Sequence, residues 1–248
     1  MIVLKQVPEI NAMRASGHLA GTVRDKVAAA VAPGVTTAEI ADYAGDLIEA
    51  AGATCAFLGY RGFPGKICIS VNEEVVHGIP GPRVIAMGDV VSLDFGVYLD
   101  GFYGDTATTV LVGVTDTDVI RMVRVAEKSL YVGLEKAVVG GRLSDVSHAI
   151  QRTVEMAGFT VVRDFVGHGI GRALHEDPQV PNYGRAGRGP VLKEGMTLAV
   201  EPMVNQGKAA TRVLSDGWTV VARDRKVSAH FEHTIAIGSD GVEILTKG

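Results

Sequence analysis

The sequence is poor in cysteine, in aromatic side chains and in positive charge. Its 248 residues include two cysteines, one tryptophan and 6% aromatics, and 24 Lys+Arg against 28 Asp+Glu leave a net charge of −4. Two cysteines cannot build a disulfide scaffold, and Cys55 and Cys68 lack CxxC metal spacing, so both are expected as reduced thiols of a cytoplasmic protein. An acidic balance gives no general reason to bind nucleic acid or an anionic membrane. No window reaches the roughly 18 unbroken apolar residues of a membrane span, and the apolar start at Met1–Leu4 is too short for a signal-peptide core. Against these shortages stand 47% hydrophobic residues, enough for a core, and 31 glycines with no Gly-X-Y period.

Two helix pairs are predicted. Pro8 opens a helical pattern through Ile10, Met13, Ala20, Val23, Val27 and Val31, ended by Pro33-Gly34. Thr36 and Glu39 read as a capping box before the stripe Ile40, Tyr43, Leu47, Ile48 and Ala51. Strands are expected at 66–71, 84–86, 90–97 and 103–112. The second half repeats the order. One helix runs from Val119 to the Gly140-Gly141 stop, and Ser144 caps a second containing Val146, Ile150 and Val154. Strands are expected at 160–165, 197–204, 218–222 and 227–237. Ile48-Glu49-Ala50-Ala51-Gly52 matches Val154-Glu155-Met156-Ala157-Gly158 at similar places in the two halves. Two helix–helix–strand lobes sharing a mainly antiparallel sheet, an α+β arrangement, follow from this order. No linker divides the chain, so residues 1–248 are read as one domain with a pseudo-repeat at roughly 8–112 and 115–240. The Gly- and Arg-rich stretch 183–190 reads as a solvated connection.

Carboxylates interrupt the apolar strands. Asp100-Gly101 is a strong hairpin signal, and with those two residues as the turn Leu99 faces Phe102 and Gly96 faces Asp105. Asp94 then lies diagonal to Asp105 on one face, with Cα atoms roughly 7–8 Å apart. Two such acids are costly if unpaired. Glu201 ends the apolar run Thr197-Leu198-Ala199-Val200. Glu232 points away from the Phe231, His233, Ile235, Ile237 face of its strand. His168 sits in the glycine-rich Gly167-His168-Gly169-Ile170-Gly171, His175 follows, and His77 lies in a turn before Gly78. One cation would suit two or three of these carboxylates. Two cations sharing bridging carboxylates would suit Asp94, Asp105, His168, Glu201 and Glu232 together, a constellation pointing to metal-assisted hydrolysis.

These motifs, from Cys68-Ile69-Ser70-Val71-Asn72-Glu73 and His77-Gly78-Ile79-Pro80 to Glu201-Pro202 and Glu232-His233-Thr234, resemble those of type I methionine aminopeptidases of the pita-bread fold over nearly the whole chain, about Pro8 to Ile244. The resemblance implies a curved sheet and removal of the initiator methionine from nascent proteins with a small second residue, by a hydroxide bridging two divalent metals. It implies Asp94 on one metal, Asp105 and Glu232 bridging, and His168 and Glu201 completing the other, with Co, Mn, Fe or Zn all compatible with the ligands. Glu201 would shuttle the proton, His175 would stabilise the tetrahedral intermediate, and His77 would contact the peptide nitrogen. Tyr60, Phe63, Cys68 and Trp218 match the methionine pocket. Phe57, Arg61 and Leu174 depart from it, standing where Cys, His and Phe are common.

Nascent N-termini are the expected partners, with the ribosome near its exit tunnel as a further one, and the expected form is a cytoplasmic monomer. Two alternatives share the fold: an Xaa-Pro peptidase, which usually has an extra N-terminal domain, and a non-catalytic pita-bread binding protein, which typically lacks ligands retained here.

Overall fold

The computed structural model describes residues 1–248. The first half runs α1 (Val7–Ala30), α2 (Thr37–Ala50), β1 (Thr54–Cys55), a 3-10 turn at Tyr60–Gly62, β2 (Cys68–Val71), β3 (Glu74–Val76), β4 (Val90–Leu99) and β5 (Phe102–Leu111). The second half runs α3 (Thr117–Leu134), α4 (Leu143–Met156), β6 (Thr160–Val161), β7 (Gly167–Gly169), β8 (Glu176–Val180), β9 (Thr197–Val200) and β10 (Met203–Asn205). It ends with β11 (Thr211–Val213), β12 (Val220–Ala222), β13 (Ser228–His230), β14 (Glu232–Gly238) and β15 (Gly241–Ile244). The main sheet has nine strands in the order β1-β4-β5-β14-β9-β7-β8, with β2 also on β4 and β15 also on β14. The expected helix–helix–strand order and antiparallel sheet are both present.

Helix ends follow local chemistry. Thr36 Oγ1 accepts the Glu39 N–H at 3.2 Å and Glu39 Oε2 accepts the Thr36 N–H at 2.8 Å, the expected capping box. The α2 stripe is shifted from the expected one. Ile40, Ala44 and Ile48 face the core, while Tyr43 and Ala51 point outward. Helix α3 stops at Leu134, before Gly140, and leaves Val138 exposed. Gly140 N–H donates to Leu192 O and Leu192 N–H donates to Gly141 O, both at 2.9 Å, so this backbone is committed to another segment. Ser144 is not the cap of α4. Arg142 holds that place, with its N–H bonded to Asp145 Oδ2 at 2.9 Å, while Ser144 Oγ donates to Arg188 O at 2.8 Å. The two matching pentapeptides fall on the ends of α2 and α4, where Gly52 and Gly158 adopt φ of 75° and 86°.

The helices back one face of the sheet. Leu93, Phe95 and Val97 of β4 pack with Val23, Ile40 and Ile48 of α1 and α2. Ile235 and Ile237 of β14 pack with Met122, Leu130 and Ile150 of α3 and α4. Alternation along each strand therefore turns Asp94 and Glu232 to the face without helices. Helix α1 lies close on β5 because a Cβ at Gly104 would come within 2.8 Å of the Gly17 backbone.

Several expected strands are shorter or broken. Residues 84–86 form only a bridge from Val84 to Thr36, and the strand expected at 160–165 pairs only over Thr160–Val161. Trp218 precedes β12, with its N–H on Asp216 Oδ1 at 2.9 Å. The run 197–204 divides at Glu201-Pro202 and the run 227–237 divides at Phe231, so β9 and β14 belong to the main sheet while β10 and β13 join β6 in a small one. Pro202 has no N–H to continue a ladder. The two breaks lie side by side, since Phe231 N–H donates to Pro202 O at 3.3 Å.

Candidate active site

The β4–β5 ladder pairs Gly96 with Asp105 and Leu99 with Phe102, the register set by the Asp100-Gly101 turn. Asp94, two residues before Gly96, lies diagonal to Asp105 on the open face. A Cβ on Gly96 would come within 2.4 Å of the Phe57 ring, so glycine there lets Phe57 close over the hairpin. Glu232 enters from the next strand, where it pairs with Ala107, and His168 enters from β7, where it pairs with Ala199. Ligating atoms of Asp105, His168 and Glu232 all lie within 4.8 Å of one another. His168 Nε2 is 3.7 Å from Asp105 Oδ2 and 3.6 Å from Glu201 Oε1. Its Nδ1 lies 2.8 Å from Gly169 O, an acceptor, so Nδ1 carries the hydrogen and the Nε2 lone pair faces the carboxylates.

All of the sequence-predicted residues line one cavity of about 130 Å³. The carboxylates and His168 form its floor. Tyr60, Phe63, Cys68 and Trp218 form its apolar wall, with Phe57, Arg61 and Leu174 beside them. Phe63 and Trp218 meet edge to face at 5.2 Å between centroids. Cys68 is buried directly across from Asp94 in the β2–β4 ladder, and both cysteines are free, as expected. Burial and the neighbouring carboxylates hold the Cys68 thiol well above its ordinary range, so it stays an uncharged SH group. His175 stands exposed at the mouth. Its ring stacks on Tyr60 at 5.4 Å, and its Nδ1 lies 2.9 Å from the Tyr60 hydroxyl. His77 packs edge-on against Phe165 and Trp218.

The electrostatics of the floor are unbalanced. Asp94 Oδ1, Asp105 Oδ1 and Glu232 Oε1 are buried without any hydrogen-bond partner, and no lysine or arginine pairs with these acids. Burial, reinforced by mutual repulsion, pushes Asp94, Asp105, Glu201 and Glu232 well above the usual carboxylate range. Burial drives His168 down to about 3 and His77 down to about 4, so both imidazoles are neutral near pH 7. Orphaned carboxylate oxygens beside an imidazole lone pair are a donor set that fits hard or borderline divalent cations.

Three contributors were not anticipated from sequence. His230 lies 3.7 Å through Nε2 from Glu201 Oε2, and that nitrogen has no hydrogen-bond partner. Asn182 Nδ2 donates to Glu201 O at 2.9 Å. Glu176, paired with the buried Lys5, accepts the N–H groups of Arg172 and Ala173 at 2.9 and 3.2 Å, which fixes the loop before His175. His230 was findable as a second histidine two residues before Glu232. Asn182 and Lys5 act over long sequence distances, and no local pattern marks them.

Residues 11–239 match the sequence profile of metallopeptidase family M24. This chain belongs to that family. It is 51% identical to a methionine aminopeptidase of Clostridium perfringens, over 99% of both chains. It is 49% identical to methionine aminopeptidase 1 of Bacillus subtilis, over the full length of both. Among solved structures, the methionine aminopeptidase of Thermotoga maritima superposes with a TM-score of 0.98 at 46% identity over both whole chains. Prolidase from Pyrococcus furiosus shares the pita-bread fold, with a TM-score of 0.80 at 20% identity, and this chain covers 66% of it. Membership of the M24 metallopeptidases brings divalent-metal use with it, in accord with the orphaned donors of the floor.

Proposed function

We propose that this protein is a methionyl aminopeptidase that removes the initiator methionine from nascent chains with a small second residue. The observation that carries this reading is the convergence, in one cavity, of four carboxylates and the His168 lone pair beneath a wall of Tyr60, Phe63, Cys68 and Trp218. Full-length similarity to methionine aminopeptidases supports it over the prolidase alternative, whose chains extend well beyond this one. Retention of all five ligand positions speaks against a non-catalytic binding protein. We read residues 1–248 as one catalytic domain in which 8–112 and 115–240 are pseudo-repeats, working as a monomer in the cytoplasm where chains leave the ribosome.

Asp94, Asp105, His168, Glu201 and Glu232 would hold two divalent cations drawn from Mn, Fe, Co or Zn. Bound there, such cations lower the pKa of a water molecule and polarise a carbonyl. Glu201 takes the proton from the attacking water and returns it to the departing amine. His175 Nδ1 lies 2.9 Å from the Tyr60 hydroxyl, and in the tautomer in which Nδ1 accepts from that hydroxyl, Nε2–H is free to donate to the scissile carbonyl oxygen. His77 is neutral at working pH and faces the peptide nitrogen. Tyr60, Phe63, Cys68 and Trp218 enclose the methionine thioether, for which a thiol and aromatic edges are suited partners.

Protein prepared without air, analysed for metal and assayed on Met-Xaa-Ser and Ala-Pro peptides, tests the reading. Hydrolysis of Met-Ala-Ser with about two metal equivalents per chain is expected. Cleavage of Ala-Pro peptides alone would replace this assignment with the prolidase one.

A further inference from the structure

We propose that Arg61 is a specificity-determining residue that favours substrates with an acidic side chain at the third or fourth position, just beyond the small second residue. This rests on the aminopeptidase reading. Arg61 is the only lysine or arginine in the cavity wall, and it is exposed at the mouth while the carboxylates occupy the floor. Its guanidinium forms no ion pair and no hydrogen bond. Its one directed contact is with the Tyr60 ring, whose centroid lies 5.3 Å from Cζ. Tyr60 in turn holds His175, so this free cation stands one side chain away from the imidazole assigned to the scissile carbonyl.

The backbone at Arg61 is held in an unusual conformation. Arg61 has φ 49° between Gly59 at 79° and Gly62 at 88°, a left-handed conformation that disfavours a non-glycine residue.

With the methionine side chain in the apolar wall and the scissile bond over the floor, the substrate leaves through the mouth. An extended chain advances at most about 3.3–3.6 Å per residue, so its third and fourth residues pass within the span of one arginine side chain. An arginine fork with its donors free is matched to a carboxylate and repels an ammonium group. Exposed charge pairs of this kind shift equilibria by about 1.4-fold to 5-fold, so attraction of one sign and repulsion of the other together give a ratio of about 2 to 25.

The test compares kcat/KM for amidated Met-Ala-Asp-Ala and Met-Ala-Lys-Ala, and for the pair with the charge one residue later. The metal-loaded native protein is expected to prefer Asp over Lys by about 2-fold to 25-fold at low ionic strength in at least one pair, with the ratio shrinking at high salt. Arg61→Lys should keep the preference and Arg61→Glu should invert it. Because each ratio is taken within one variant, it does not depend on how much of that variant folds. Trp218 is the only tryptophan and lines the cavity, so its fluorescence in Glu201→Gln gives the same ratio as dissociation constants. Equal rates for Asp and Lys peptides, or an unchanged ratio in Arg61→Glu, overturn the Arg61 proposal alone. Failure to cleave any of these peptides overturns the aminopeptidase reading and the proposal together.

Discussion

Asp105 and Thr234 exchange two hydrogen bonds: the Asp105 N–H donates to Thr234 Oγ1 at 3.0 Å, and that hydroxyl donates back to Asp105 O at 2.8 Å. The β5–β14 ladder ends with His233 opposite Thr106, so a side chain continues the pairing where the backbone strands part.

Thr234→Val keeps the shape of this fully buried residue but orphans the Asp105 backbone. A buried unsatisfied amide costs about 1–3 kcal/mol. Urea unfolding should show that loss. Metal affinity should fall about 10-fold to 100-fold, as when an outer partner of a ligand is removed. A variant with native affinity would show that Thr234 does not hold Asp105 in place.

Glu201→Gln retains the shape of the side chain and removes its basicity. Turnover of Met-Ala-Ser should drop by about 10²-fold or more, while peptide binding read by Trp218 fluorescence persists. A near-normal rate would refute the assignment of Glu201 as proton shuttle.

Asp94, Asp105, Glu201 and Glu232 have folded-state pKa values raised by burial, so the metal-free fold binds more protons than the unfolded chain. Their contribution to stability is therefore greatest at acid pH and declines as pH climbs past the ordinary carboxylate range of about 4. Binding a divalent cation at pH 7 should release protons. Calorimetry in buffers of different ionisation enthalpy should show this, and a buffer-independent heat would contradict it.

His233 lies on the opposite face of β14 from Glu232. Its Nδ1 is 2.8 Å from Thr246 Oγ1 and its Nε2 is 3.2 Å from the Tyr131 hydroxyl. Burial, helped by the Arg24 and Lys247 charges, drives it from 6.5 down to about 3. Below pH 6.5 the unfolded chain takes up a proton here that the folded chain refuses, so stability falls with falling pH by about 1.4 kcal/mol per unit. Unfolding measured from pH 7 to pH 5 should be less pH-dependent in His233→Gln. Identical slopes would rule His233 out as a source of acid lability.

The parts of the fold legible in sequence were those fixed by local chemistry. Asp100-Gly101 set the hairpin, and every pair from Leu99–Phe102 back to Val90–Leu111 keeps its register without a bulge. Thr36 and Glu39 announced α2. Long-range pairing decided the rest. Residues 135–141 continue an apolar helical pattern, yet their backbone is needed by Leu192. The run through Glu201 reads as one strand, yet Pro202 hands it from one sheet to another. In the site, the carboxylates were visible because they interrupt apolar alternation. Asn182 was not, since it reaches Glu201 across 19 residues of chain and no local pattern marks it.

The five proposed ligands come from strands far apart in the chain, with Asp94 and Asp105 on the first hairpin and Glu232 close to the last. The cluster therefore stays incomplete until β14 is in place, and a chain cut short before β14 lacks Glu232, one of the proposed ligands. A molecule that holds its full complement of metal has therefore also closed its central sheet, because β14 lies between β5 and β9.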